Sequence, residues 1–166
     1  MARKLNKKGS LDDLVYVGTT LLAIAILVLI MGKWTMDFNT NIQTNDDIPV
    51  AGKTAVQQID NLYGGVIDNS FLFLTIGLCI VALVFAMLVV IHPVFFVFYF
   101  IMLGIVVYVS GVMSNIYQMA AEEAALADMA AKLLWIGHIM EYLPFIVGVF
   151  GFVLAVIMYK TWRNYQ

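Results

Sequence analysis

NSFLFLTIGLCIVALVFAMLVVIHPVFFVFYFIMLGIVVYVSGVMSNIYQMAA, residues 69–121, contains no Asp, Glu, Lys or Arg, and most of it is Leu, Ile, Val, Phe, Met or Ala. As one straight helix rising about 1.5 Å per residue, it would run to roughly 80 Å, against about 30 Å of hydrocarbon in a bilayer. It must fold back, and the corner is His92-Pro93. Proline lacks an N–H and turns the residue before it away from helical geometry, yet sits well in the first turn of a new helix. The stretch therefore predicts a membrane hairpin, 71–91 in one direction and 94–113 in the other, around a turn at 92–93.

The rest of the composition agrees. Of 166 residues, 63% are hydrophobic and 12% charged, where a water-soluble domain usually carries about 25% charged residues. The mean hydropathy is +0.93. The lone cysteine, Cys79, leaves no intrachain disulfide and no cysteine metal site.

Outward from the hairpin, two further apolar runs complete the set. Residues 1–13 are basic at the start (Arg3, Lys4, Lys7, Lys8) and read as a cytoplasmic anchor. Ser10 and Asp13 have the spacing of a capping box, so a helix is expected to begin there. The first span is 14–34, closed by Lys33 as a snorkelling cation and Trp34 as an interfacial indole. The lysines, Gly9-Ser10 and the apolar run resemble a prepilin-type signal or a secretory leader. The length of the run, the lack of a small-x-small cleavage site and the three later spans argue against both. The fourth span is 142–159, with Pro144 in its first turn and a basic-aromatic tail, 160–166, holding Lys160, Trp162 and Arg163.

Two polar regions separate these spans. In 35–70, residues 35–49 read as a loop. An amphipathic helix is expected over about 53–65, with Val56, Ile59, Leu62 or Tyr63, and Val66 on its apolar face and Gly64-Gly65 ending it. In 114–141, Leu126, Met129, Leu133, Ile136 and Met140 recur at three- and four-residue steps. A second amphipathic helix is expected there, turning near Gly137, with Asp128 and Lys132 as an i,i+4 ion pair. The fold class is thus all-α: a polytopic membrane protein with four transmembrane helices and two amphipathic helices on the non-cytoplasmic side.

Charge sets the expected orientation. With four spans, Arg3, Lys4, Lys7, Lys8, Lys160 and Arg163 share one side with only Asp12 and Asp13. The other side has Lys33, Lys53 and Lys132 against every remaining acid, so both termini are expected in the cytoplasm, or inside a virion membrane.

Lipid is as apolar as Leu, so helices in a bilayer associate where small residues let backbones approach. Candidate seams are Gly18, Ala25 and Gly32 on the first span, Ala82 and Ala86 on the second, Gly104 and Gly111 on the third, and Gly148 and Ala155 on the fourth. Ala82 and Ala86 are four apart, and the seven-residue steps on the other three spans suit a left-handed bundle. Trp135 joins Lys33, Trp34, Lys160, Trp162 and Arg163 as a membrane-interface residue.

No Asp, Glu, Lys, Arg or His falls in the interior of a span, where catalysis in a membrane would show itself. His92 lies at the turn, His138 and Glu141 are i,i+3 neighbours, and Asp46-Asp47 lacks the further ligands of a calcium loop. No hydrolase, phosphate-loop or zinc motif occurs. No catalytic residue, cofactor or metal site is expected, nor specific nucleic-acid binding. The expected partners are the bilayer, anionic headgroups at the basic termini, and either further copies of the chain or a larger complex. The leading expectation is a structural, non-catalytic subunit of an envelope, secretion, respiratory or virion membrane. The alternatives are a holin-like channel lined by Thr19, Thr20 and Ser110, and an accessory subunit of a membrane enzyme.

Overall fold

The computed structural model describes residues 11–88 and 94–164. Among them there is no strand, and four helices are long and apolar enough to cross a membrane. The chain is an all-α, multi-pass membrane protein.

The elements are α1 (Leu11–Thr44), α2 (Val50–Leu62), a π turn (Tyr63–Ile67), α3 (Asp68–Leu88), α4 (Val94–Glu122), α5 (Ala127–Ala130), α6 (Leu134–Glu141) and α7 (Leu143–Asn164). Their pairing follows from named contacts. The amide of Gln43 donates to the Lys53 carbonyl at 2.9 Å and the Lys53 ammonium to the Gln43 carbonyl at 3.0 Å, closing a tight α1–α2 corner. Asn45 accepts the Asp47 N–H within that corner. On α4 and α7, Phe96 meets Tyr159 and Val107 lies at Gly148, so these helices run antiparallel, and the Ser114 hydroxyl donates to the Glu141 carbonyl at the end of α6, just before α7 begins. Gly18 beside Met113 and Gly32 beside Met129 place α1 parallel to α4. The start of α1 and the end of α7 therefore point the same way, called proximal below, although Leu11 stands level with the middle of α4, and the 45–49 corner lies at the other, distal end.

The core has two parts. The proximal cluster is built from α4 and α7 with Leu83 of α3: Tyr99, Leu103, Leu154, Ala155 and Met158 are buried there, and among the described side chains none of α1 joins them. The distal cluster gathers every long helix around α5 and α6. Leu21, Ala25, Leu29, Phe71, Tyr117, Met129, Leu133, Ile136, Met140 and Leu143 are all buried. Large apolar side chains elsewhere point outward, as lipid contact requires: Leu27, Phe73, Ile80, Phe98, Ile105 and Phe152 among them.

Several boundaries differ from the sequence reading. Residues 35–44, expected as a loop, continue α1, which at 34 residues is about 51 Å long and overhangs a bilayer at the distal end. Asn and Thr have modest helix propensity, but here Thr40 and Thr44 bond back to carbonyls one turn earlier and Lys33 pairs with Asp37 at 2.8 Å. Gly64-Gly65 does not end α2. The backbone passes through them as a π turn straight into α3, with the Asp68 N–H bonded to the Tyr63 carbonyl. Nor does the chain turn at Gly137, which lies inside α6. The breaks fall at 123–126, 131–133 and Tyr142, where ψ is 9°. The hairpin turn at His92 and Pro93 lies outside the described residues.

Candidate functional site

The groups with chemical potential gather at the distal end, and they hold the chain together. Asp68 heads α3 and is 2% exposed. Its carboxylate accepts the Trp135 N–H on one oxygen and the Ile136 N–H on the other, both at 2.9 Å. Those are the second and third amides of α6, the two that an N-cap side chain normally takes. The N-cap position of α6 is Leu133, which has no oxygen to offer and is itself fully buried. Asp68 thus supplies the cap from another helix, with its negative charge at the positive end of α6.

Asp60, two turns up the same rod, is the second buried carboxylate. Lys132 Nζ donates to its Oδ2 at 2.9 Å and Asn39 Nδ2 lies 3.4 Å from the same oxygen, while Oδ1 has no partner among the described residues. The lysine is 39% exposed, the aspartate 8%. This replaces the expected Asp128–Lys132 pair: α5 is too short to hold an i,i+4 geometry, and Lys132 falls in the break after it. Beside them the Thr35 hydroxyl donates to Met31 and lies 3.4 Å from the Tyr63 hydroxyl. Tyr117 is buried below, its hydroxyl unpartnered among the described residues.

The small residues divide. On α1, Gly18, Ala25 and Gly32 share the inward stripe with Leu21 and Leu29. A methyl on Gly18 would touch Met113, and one on Gly32 would collide with the Met129 methyl and come within 3.0 Å of the Tyr63 ring. A methyl on Gly148 would stand 3.6 Å from Val107, an ordinary contact, and Ala155 is fully buried. Ala82 is half-buried; the side chain of Ala86 lies outside those described. Gly104 and Gly111 need correcting as seams within the chain, since a methyl on either meets nothing within 4 Å. The close approach on the α4–α7 side belongs to Gly151, where a methyl would run into Leu103 and whose carbonyl accepts the Tyr99 hydroxyl at 2.9 Å.

At the membrane interfaces, Trp34 stacks on Phe38 with ring centroids 6.0 Å apart and is 66% exposed. Lys33 is paired along its own helix, and Trp135 is 46% exposed beside its cap. Lys160 and Arg163 are exposed near the proximal end; the side chain of Trp162 is outside those described.

The supposed lumen residues do not face one space. Thr19 and Thr20 lie on the outer face of α1, each bonded to the carbonyl four residues before it, in an apolar surface groove with Tyr16 and Leu27. Ser110 points inward and bonds to Val106 and Val107. The His138 Nδ1–H donates to the Leu134 carbonyl of its own helix at 2.7 Å. Among the described residues no three metal-ligating side chains converge.

No family model, curated protein or solved structure matches the chain. The reading of its role rests on the geometry above.

Proposed function

We propose that this chain is a non-catalytic structural protein of a membrane, which associates with further copies of itself in the plane of the bilayer, with both termini in the cytoplasm. One observation carries it. The two buried carboxylates are each engaged in fastening the chain's own distal layer, Asp68 on the amides of α6 and Asp60 on Lys132. Groups that in an enzyme or a transporter would be held ready for a substrate here serve construction.

The association half of the reading is supported by Gly104 and Gly111. Seven residues apart on α4 and unopposed within the chain, they offer the close backbone approach that drives helix pairing in lipid. The basic residues of both ends, Arg3, Lys4, Lys7, Lys8, Lys160 and Arg163, suit the anionic headgroups of a cytoplasmic leaflet.

The test is the mass of the protein purified in mild detergent, measured by light scattering with the detergent contribution subtracted. A single species of several identical copies is expected. Gly104→Leu with Gly111→Leu should shift it to a smaller particle without unfolding it. A particle that stays monomeric at every concentration overturns the homo-oligomer, and a stable particle containing other chains makes this one an accessory subunit. Dye release from liposomes densely loaded with the protein would instead make it a pore.

A further inference from the structure

The π turn at Tyr63–Ile67 lies between the two buried carboxylates, and the spacing of those carboxylates explains why it is there. Asp60 and Asp68 are eight residues apart. In an unbroken α-helix, at about 100° per residue, they would be turned about 80° from each other. A π turn takes up one extra residue, removing about 100° and leaving them within about 20°. Only then do both face the α5–α6 segment, one reaching Lys132 and the other the α6 amides. The turn is pinned from both sides. Tyr63 packs on Gly32 and sits by Thr35 above it, and Asp68 is bound to α6 below it. Gly64 lies against the break that carries Lys132: a Cβ there would stand 3.4 Å from the Lys132 carbonyl oxygen, an ordinary contact.

We propose that this π turn is a register catch built into the fold. In the π form the catch is closed, with Asp60 on Lys132. Relaxation to α-helical geometry turns α2 by about 100° relative to α3, carries Asp60 off Lys132 and frees the distal α1–α2 corner, while Asp68 keeps its hold on α6. The pair that closes the catch is the one that water reaches, through the part-exposed lysine. The membrane helices and the distal layer are therefore joined by a joint with two settings.

Adding and removing a residue should have opposite effects, unlike in an ordinary helix. Deleting Gly65 leaves Asp60 and Asp68 seven residues apart, within about 20° in plain α-helix, so the catch stays closed with no π turn. Inserting an alanine between Gly64 and Gly65 leaves them about 80° apart even with the π turn, so the catch opens. Each full-length variant is compared with and without Lys132→Met by thermal unfolding in detergent.

Lys132→Met should lower the midpoint by about 2–4 °C in the parent and in the deletion variant, and leave the insertion variant unchanged. In the parent, Lys132→Met should also speed amide exchange over 63–68, and in the deletion variant it should not. A Cys pair at Val107 and Gly148, in a Cys79→Ala background, reports through its disulfide that the bundle is intact. If the insertion variant fails that control, the deletion variant decides alone. Loss of its sensitivity to Lys132→Met, or exchange that rises as in the parent, overturns the proposal.

Discussion

Asp68 shows how a single residue can matter beyond its place in the sequence. In the chain it stands at the edge of a long apolar run and reads as one more acid on the polar side. In the fold it is the missing N-cap of a helix 67 positions away. Asp68→Asn keeps the size but leaves one acceptor oxygen for two amides and turns an NH2 toward the second. Leaving a buried donor unpaired costs about 1–3 kcal/mol. The thermal midpoint in detergent should fall by roughly 2–12 °C, with faster exchange of the Trp135 and Ile136 amides. An unchanged midpoint and unchanged protection would show that α6 has another cap. Asp60 was legible only as the polar side of an amphipathic helix; its inward direction depends on a π turn that no residue pattern announces.

At the scale of elements, a seven-residue step names a line along a helix but not the direction in which that line faces. On α1 the line of Gly18, Ala25 and Gly32 faces α4 and the α5–α6 segment. On α4 a methyl at Gly104 or Gly111 meets no neighbour within 4 Å among the described residues, and on α7 the tight contact is at Gly151, off the line of Gly148 and Ala155. The two kinds of glycine should part under one substitution. Gly151→Ala drives a methyl into Leu103 and should destabilise by about 1–3 kcal/mol. Gly104→Ala meets nothing and gains helix propensity, so the folded monomer should hold or gain up to about 1 kcal/mol. Thermal unfolding of the two variants side by side checks this, and the same loss from both would mean that the outer face of α4 is packed.

For the molecule as a whole, the question is which way up it sits. The start of α1 and the end of α7 point one way and the 45–49 corner lies at the other end, and the proposal puts the basic side in the cytoplasm. A membrane-impermeant maleimide applied to intact cells should label a lone cysteine at Asp46→Cys and miss one at Gln166→Cys, both in a Cys79→Ala background. Opening the cells should expose the second. The reverse pattern would invert the arrangement and with it the assignment of the carboxylate cluster to the outer face.

Residues 69–121 were sufficient to establish a helical membrane protein, because 53 uncharged residues have no other stable home and a bilayer admits only so much of a helix before it must return. The number of spans and the contrast between a basic side and an acidic side follow from composition taken segment by segment. What only the tertiary structure decided was how far α1 and α2 extend beyond the bilayer, which small residues meet a neighbour, and where Asp60, Asp68 and Lys132 are engaged. The reason is range. Transfer into lipid is a sum over local residues and can be read along the chain, whereas a carboxylate's partner is chosen by the packing of helices dozens of residues apart.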